Sequence, residues 1–174
     1  GDPCISIEGT AQESDVLLPV DATAGSNVIT VADTSAISPG DLILIYDDTI
    51  WGTTYPNWKT GELHRVFSVD GTSVTLYENL IHAYTTTKFA KIRIISPIST
   101  TISNITFVGA GAIANSWGIR IRYGSDVCIT GCKFSNFGNH GVNVGYSYAT
   151  SITDCTMSGG LYPGYGYGIT ISNG

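Results

Sequence analysis

The chain has 174 residues, of which 43% are hydrophobic and only 13% charged, so it is long and apolar enough for an ordered core. Its 21 glycines and 10 tyrosines are typical of turn-rich, strand-rich folds, and we expect almost no α-helix. The formal net charge is −6 and the eight basic residues are scattered, which argues against a nucleic-acid partner. No apolar stretch approaches the roughly 18 residues that a membrane span needs.

Residues 21–95 are predicted to form a small β-rich module, because short apolar strands alternate with strong turn signals. Leu42–Ile45 is a continuous apolar strand. Val66–Val69 and Val74–Leu76 flank Asp70-Gly71, and this pair favours a hairpin because it supplies the two positive φ angles of a type I′ turn. A small β-barrel or a sandwich-like insert would satisfy this pattern.

The C-terminal half contains a repeat. Its first series comprises Thr101–Gly109, Cys128–Asn136 and Ser151–Gly159, and its second comprises Trp117–Ile121, His140–Val144 and Tyr167–Ile171. In this alignment Ile102, Ile129 and Ile152 correspond, and so do Phe107, Phe134 and Met157. The spacing is 27 and then 23 residues in the first series, but 23 and then 27 in the second. The extra residues therefore fall in different loops, which stacked coils tolerate.

Apolar and polar residues alternate within each repeated run, which predicts strands with an inward and an outward side. We therefore predict an all-β fold in which residues 96–174 form a right-handed parallel β-helix, with Ile119, Val142 and Ile169 in one interior ladder. The glycine at the second position of each run in the second series is expected to take a positive φ at a tight corner. Residues 1–20 are interpreted as a lead-in or as a strand of an earlier coil.

The last inward isoleucine lies three residues before Gly174, with no capping element after it. An open coil end presents unpaired backbone and apolar surface. We expect residues 1–174 to be an excerpt of a longer β-helix, or other chains to stack end to end on it.

The four cysteines do not have the spacing of a zinc site, so no metal or other cofactor is expected. Cys132 and Cys155 occupy equivalent positions in the repeat and are interpreted as small core residues.

A family resemblance rests on five passages: Ala24–Val31, Ser38–Ile43, Gly61–Val66, Val74–Leu76 and Tyr84. Together they resemble a module of phage tailspikes and appendages and of related bacterial pectate-lyase-like proteins, in which a right-handed β-helix contains or follows it. The resemblance covers residues 16–174. It implies a homotrimer on a virion tail or another extracellular surface, but it leaves activity open, because the same scaffold carries lyases, hydrolases and inert binding fibres.

Two aromatic loops are candidate sugar contacts, since flat rings stack on the apolar face of a pyranose. The first contains Trp51, Tyr55 and Trp58 and the second contains Tyr162, Tyr165 and Tyr167. The alternative for the first loop is that its rings pack at the junction between the module and the coils.

Arg120 and Arg122 point outward from one predicted strand, with Asn143 and Thr170 in matching positions on later coils. The pectate-lyase-like enzymes bind acidic sugars along such a face, whereas the simpler interpretation is that these arginines only solvate it. Asp126 and Asp154 are the only acidic residues in the predicted coils, and their offset in the repeat argues against a catalytic pair. No catalytic residue is assigned.

We therefore predict a binding and structural role, the presentation of loops to a host or cell-surface polysaccharide. One alternative is a polysaccharide lyase or glycoside hydrolase whose catalytic residues lie largely outside these 174 residues. Another is an adhesin or a sheath component whose coils stack into a filament.

Overall fold

The computed structural model describes residues 3–50, 59–111, 116–160 and 167–172, with the backbone alone for Tyr167 and Ser172. The chain divides into two compact units. We call Gly1–Gly9 with Pro97–Gly174 the coil unit, and Thr10–Ser96 the module. The coil unit begins with strand β1 (Pro3–Glu8).

The module is an antiparallel sheet. Its strands are β2 (Thr10–Ala11), β3 (Val16–Leu17), β4 (Val28–Thr30), β5 (Leu42–Ile50), β6 (Lys59–Asp70), β7 (Ser73–Leu76) and β8 (Lys91–Ser96), and a 3₁₀ turn spans Thr86–Lys88. The strand order is β2-β8-β5-β6-β7-β4, and β3 also pairs with β8. Residues 10–20, grouped with the lead-in by the sequence, therefore fold with the module, because β2 and β3 both hydrogen-bond to β8.

The apolar run that begins β5 forms the centre of the module. Leu42, Ile43 and Ile45 are fully buried, as central strands with both faces covered require. The predicted hairpin joins β6 to β7, but its turn differs from the type I′ expectation. Asp70 pairs with Ser73, so the central residues are Gly71 and Thr72, and only the glycine has a positive φ, of 56°.

The coil unit consists of parallel strands. They continue as β9 (Thr101–Ser103), β10 (Thr106–Val108), β11 (Trp117–Arg122), β12 (Cys128–Thr130), β13 (Lys133–Ser135), β14 (His140–Gly145), β15 (Ser151–Thr153), β16 (Thr156–Ser158) and β17 (Tyr167–Ser172). Three sheets result, in the orders β1-β11-β14-β17, β9-β12-β15 and β10-β13-β16. The predicted parallel β-helix is confirmed, and among the described residues the 3₁₀ turn is the only helical element.

Equivalent residues of successive coils pair directly. Phe107 pairs with Phe134 and Phe134 with Met157, and the two phenyl rings stack with centroids 4.9 Å apart. The ladder of Ile119, Val142 and Ile169 is likewise formed, and β1 extends it through Ile5. Each coil therefore buries its apolar row against its neighbours.

The corners of the coils repeat as regularly as the strands. Asn104, Gly131 and Asp154 are equivalent, and all three are left-handed with φ of 57°, 63° and 53°. Tyr123 and Tyr146 form a second such pair, with φ of 55° and 47°. Asparagine, aspartate and glycine tolerate this conformation best.

The glycines that open the long strands have another role than the predicted one. Gly118, Gly141 and Gly168 do not take a positive φ. A Cβ atom on Gly118 would lie 2.5 Å from the carbonyl oxygen of Gly141, and one on Gly141 would lie 2.9 Å from that of Gly168. Close backbone approach between coils therefore explains Gly118 and Gly141, whereas a Cβ atom on Gly168 would lie 2.9 Å from the Met157 sulfur.

Candidate functional site

The outward side of the four-stranded sheet β1-β11-β14-β17 carries a row of polar side chains, and we call it the strand face. Inward isoleucines and valines fix its orientation, because successive side chains of a strand point to opposite sides. Ser6, Arg120, Asn143 and Thr170 are paired in register across its four strands. Polar groups that can bind hydroxyls therefore lie about 4.8 Å apart across the sheet.

An ion pair joins the first two strands of this face. The Arg120 Nη2 atom donates to Glu8 Oε1, and the Ser6 hydroxyl donates to the same oxygen at 3.0 Å. The hydrogen bond from Arg120, followed by that from Ser6, lowers the pKa of Glu8 below its usual value of 4.5. Glu8 is therefore ionised at neutral pH and neutralises one of the two arginines of the strand face.

An aromatic stack stands at the beginning of the long strands. The rings of Trp117 and His140 lie nearly parallel, at 16°, with centroids 6.4 Å apart, and the Arg120 guanidinium lies 5.6 Å from the Trp117 ring centroid. His140 Nδ1 is 2.9 Å from the Thr170 hydroxyl oxygen, within hydrogen-bonding distance. Burial lowers the pKa of His140, which keeps its ring neutral at pH 7.

A second aromatic stack stands where the same strands end. The rings of Tyr123 and Tyr146 have centroids 5.6 Å apart and are tilted by 33° to each other, so they overlap less evenly than the first pair. The guanidinium of the exposed Arg122 lies 5.9 Å from the Tyr123 centroid. Each stack thus spans β11 and β14 and has one arginine over its first ring. The two arginines lie on the outward side, so both stacks border the strand face.

The structure places only part of the predicted site. Arg120 and Arg122 lie on the strand face, as their alternation predicts. Trp51, Tyr55, Trp58, Tyr162 and Tyr165 fall outside the described residues. The backbone of Tyr167 pairs with His140 at the start of β17.

Three residues of the strand face were missed by sequence reasoning. Trp117 and His140 were aligned as the first residues of the second repeat series, and that equivalence itself signalled a stack of rings. Glu8 had no such signal, because its partner Arg120 is 112 residues away in the sequence.

The two aspartates of the C-terminal coils belong to different corners. Asp126 precedes β12, whereas Asp154 lies between β15 and β16, and both have left-handed φ. This placement explains their offset in the repeat.

A buried carboxylate network lies in the module. Glu62 accepts hydrogen bonds from the backbone N–H groups of Ile81 at 2.8 Å and His82 at 2.7 Å, and from the Tyr84 hydroxyl at 2.8 Å. His64 Nε2 is 3.0 Å from the same carboxylate. Burial and then the Glu62 carboxylate raise the pKa of Tyr84 well above its usual value. This network holds the chain around residues 81–84 against β6, so His64 is structural.

Within the described ranges, no cluster of three or more His, Cys, Asp or Glu side chains could hold a metal ion. All four cysteines are free thiols, and Cys132 is buried in the coil core with Cys155 packed against it. In the same part of the chain no helix has the length and apolarity to cross a membrane.

The solved structures that share the fold include three phage tailspikes. The tailspike gp61 of Pseudomonas phage phi297 has a TM-score of 0.67 and 14% sequence identity, and the match covers 91% of this chain and 33% of that one. The tailspike gp49 of Pseudomonas phage LKA1 has a TM-score of 0.59 and 21% identity, with 91% of this chain and 34% of that one covered. The Gp54 tailspike of Acinetobacter baumannii bacteriophage AP22, in complex with A. baumannii capsular saccharide, has a TM-score of 0.56 and 19% identity, with 88% of this chain and 34% of that one covered. The present chain thus spans about a third of each tailspike.

No curated protein matches the sequence. A family profile described as "Right handed beta helix region" matches residues 43–174, which is most of the chain and includes all three C-terminal coils. With the parallel ladders and the tailspike-like fold, this match shows that the chain belongs to the right-handed β-helix family.

Proposed function

We propose that this chain is part of a phage tailspike or a similar extracellular appendage, and that its strand face binds a host or surface polysaccharide. On this proposal the chain lies on the virion tail or on another extracellular surface. It assembles into a homotrimer or stacks end to end, as the resemblance to tailspikes implies.

The stack of Trp117 and His140 beside Arg120 is the observation that carries this proposal. A flat ring pair on an outward sheet surface offers an apolar platform for a pyranose, and the adjacent polar groups offer donors and acceptors for its hydroxyls. Asn143 and Thr170 continue that polar row on the next two strands. Because the Trp117 and Arg120 side chains contact each other, the platform is ordered before a sugar arrives.

The likeness to the AP22 tailspike supports the class of ligand, since that protein was solved with a capsular saccharide. At 19% identity the likeness extends to the fold and not to the contacts. The groups that would touch sugar must therefore be tested in this chain.

Cleavage of the polysaccharide is the main rival. Hydrolysis needs two carboxyl groups about 5–10 Å apart across the sugar bond. Among the described outward residues of the strand face, Glu8 is the only carboxylate, and Arg120 holds it in an ion pair. Binding without turnover is therefore the function that this face supports.

The test is to measure binding of the 174-residue chain to a panel of purified bacterial capsular polysaccharides by biolayer interferometry. At least one polysaccharide should bind, and Trp117→Ala should weaken that binding roughly three- to tenfold, since an aromatic contact contributes about 0.5–1.5 kcal/mol. Tyr77→Ala, which removes an exposed ring from the module, is the matched control and should leave affinity unchanged.

The same samples separate binding from catalysis. Reducing-end release and the ultraviolet absorbance of unsaturated products should both stay at background. Turnover by the wild-type chain would replace the binding role with an enzymatic one, and failure of every polysaccharide to bind would refute the proposal.

A further inference from the structure

The two aromatic stacks of the strand face occupy the same pair of coils. Trp117 begins β11 and Tyr123 follows its end, just as His140 begins β14 and Tyr146 follows its end. The line that joins the two stacks therefore runs parallel to the strands and not along the stack of coils. Tyr123 follows Trp117 by six positions, which corresponds to about 20 Å of extended strand.

The outward side chains between the two stacks are short on β14 and long on β11. Asn143 and Gly145 are the positions of β14 that pair with the outward arginines of β11. Asn143 has a short side chain and Gly145 has none. Their neighbours on β11 are Arg120 and Arg122. We call the strip of β14 beside the two arginines the trough; its side chain is that of the half-buried Asn143, and Gly145 is buried.

The chemistry of the trough changes along its length. At the Trp117 end, the charge of Arg120 is neutralised by Glu8. At the Tyr123 end, Arg122 is exposed and lies over an aromatic ring. Both ends combine a ring with a guanidinium, and Asn143 supplies an amide between them, so hydrogen-bonding groups are continuous from one platform to the other.

We propose that this trough is an extended saccharide site in which an oligosaccharide lies parallel to the strands and contacts both aromatic stacks. This inference rests on the proposed function and adds a direction, a second platform and a minimum length. A disaccharide is too short to bridge about 20 Å, so only longer fragments would contact both platforms.

The test uses disaccharide, tetrasaccharide and hexasaccharide fragments of whichever capsular polysaccharide binds the chain, measured by isothermal titration calorimetry. The hexasaccharide should bind at least about tenfold more tightly than the disaccharide. Tyr123→Asn removes the second platform but keeps a residue that accepts the left-handed φ of 55°. It should remove most of the length dependence.

Asn143→Phe fills the trough and should weaken hexasaccharide binding about tenfold. Ser103→Phe places the same ring on the exposed outward side of β9 and is its matched control. Circular dichroism and melting curves identify any variant that fails to fold, and Asn143→Asp then serves as the isosteric replacement, expected to weaken hexasaccharide binding by altering the amide contact.

The outcomes distinguish the two proposals. If Trp117→Ala weakens binding while Tyr123→Asn and folded trough variants leave hexasaccharide affinity within twofold of wild type, the polysaccharide function stands and the bridging site is wrong. If no polysaccharide binds the wild-type chain, both the polysaccharide function and the bridging site are wrong.

Discussion

In the coil unit, Phe107, Phe134 and Met157 occupy one position in three consecutive coils, whereas in the module each buried residue has its own set of neighbours. The coil core is built from ladders in which the coil above and the coil below supply equivalent side chains. The module instead has one apolar core and a buried carboxylate, Glu62. Glu62 has hydrogen-bond partners in three residues of one loop and in His64 of its own strand. Equivalent contacts repeat through the core of the first unit, whereas the second has an apolar core without such repeats and the polar network of Glu62.

Charge separates the two units as well. The module carries ten acidic and five basic residues, whereas the coil unit carries four acidic and three basic ones. The acidic character of the chain therefore belongs to the module. The strand face, with two arginines and one glutamate among its described residues, is not repelled from an anionic or neutral glycan by its own charge.

Breaking a ladder should give the largest loss of stability. Phe134 is 2% exposed between Phe107 and Met157, so Phe134→Ala should cost about 3–5 kcal/mol. Phe67→Ala removes the same ring from a side chain that is 56% exposed and should cost far less. Hydrogen exchange followed by mass spectrometry reports each unit separately. Equal losses from the two variants would contradict the ladder account.

Substitution of a corner glycine should give the next largest loss in the free energy of unfolding. Gly131 has φ of 63°, and an added Cβ would lie 2.5 Å from Asn104 Oδ1, so Gly131→Ala should cost about 2–3 kcal/mol. Gly71→Ala tests the φ alone, since no atom lies within 4 Å of its added Cβ, and should cost about 1–2 kcal/mol. Urea unfolding measures both.

The combination of Asn104→Gly with Gly131→Ala isolates the contact between coils. Asn104→Gly removes the clashing oxygen and keeps a residue that accepts the left-handed conformation. The added cost of Gly131→Ala should then fall to that of Gly71→Ala, and an unchanged cost would show that backbone strain alone acts at this corner.

Disruption of the Glu62 hydrogen-bond network in the module should give the smallest of these stability losses. Burial acts to raise the pKa of Glu62, but hydrogen bonds from Ile81, His82, Tyr84 and His64 outweigh it, and the pKa lies below 4.5. Glu62→Gln should therefore cost about 1–2 kcal/mol at pH 7. Protection of the Ile81 and His82 amides from hydrogen exchange measures this loss.

The pH dependence of the same network has a definite sign. A carboxyl group with a lowered folded-state pKa stabilises the fold above its unfolded pKa of about 4.5, and that contribution disappears as the pH falls through the folded-state value. Wild-type module protection should therefore decrease below about pH 4.5, and Glu62→Gln should flatten this decrease. A wild-type profile that is as flat as that of the variant would contradict the role of Glu62.

The sequence predicted the ladders of the coil unit because inward residues repeat with the coils. It could not predict the pairing of Glu8 with Arg120, since no local pattern links residues so distant in the chain. Gly118 and Gly141 were expected to take a positive φ at corners, but the close approach of each to a carbonyl group of the next coil depends on stacking between coils. The turn at Gly71 differed because strand pairing extends through Asp70, which propensity alone does not reveal.

The pairing of Thr10 with Ser96 bears on how the chain reaches its native state. Closing a long flexible loop costs conformational entropy that grows with the logarithm of its length. Once β2 and β8 have paired, the intervening residues no longer contribute to that cost, and β1 is tethered to the coils as if by a short linker. Module formation before β1 docks on β11 is the folding order that this topology favours.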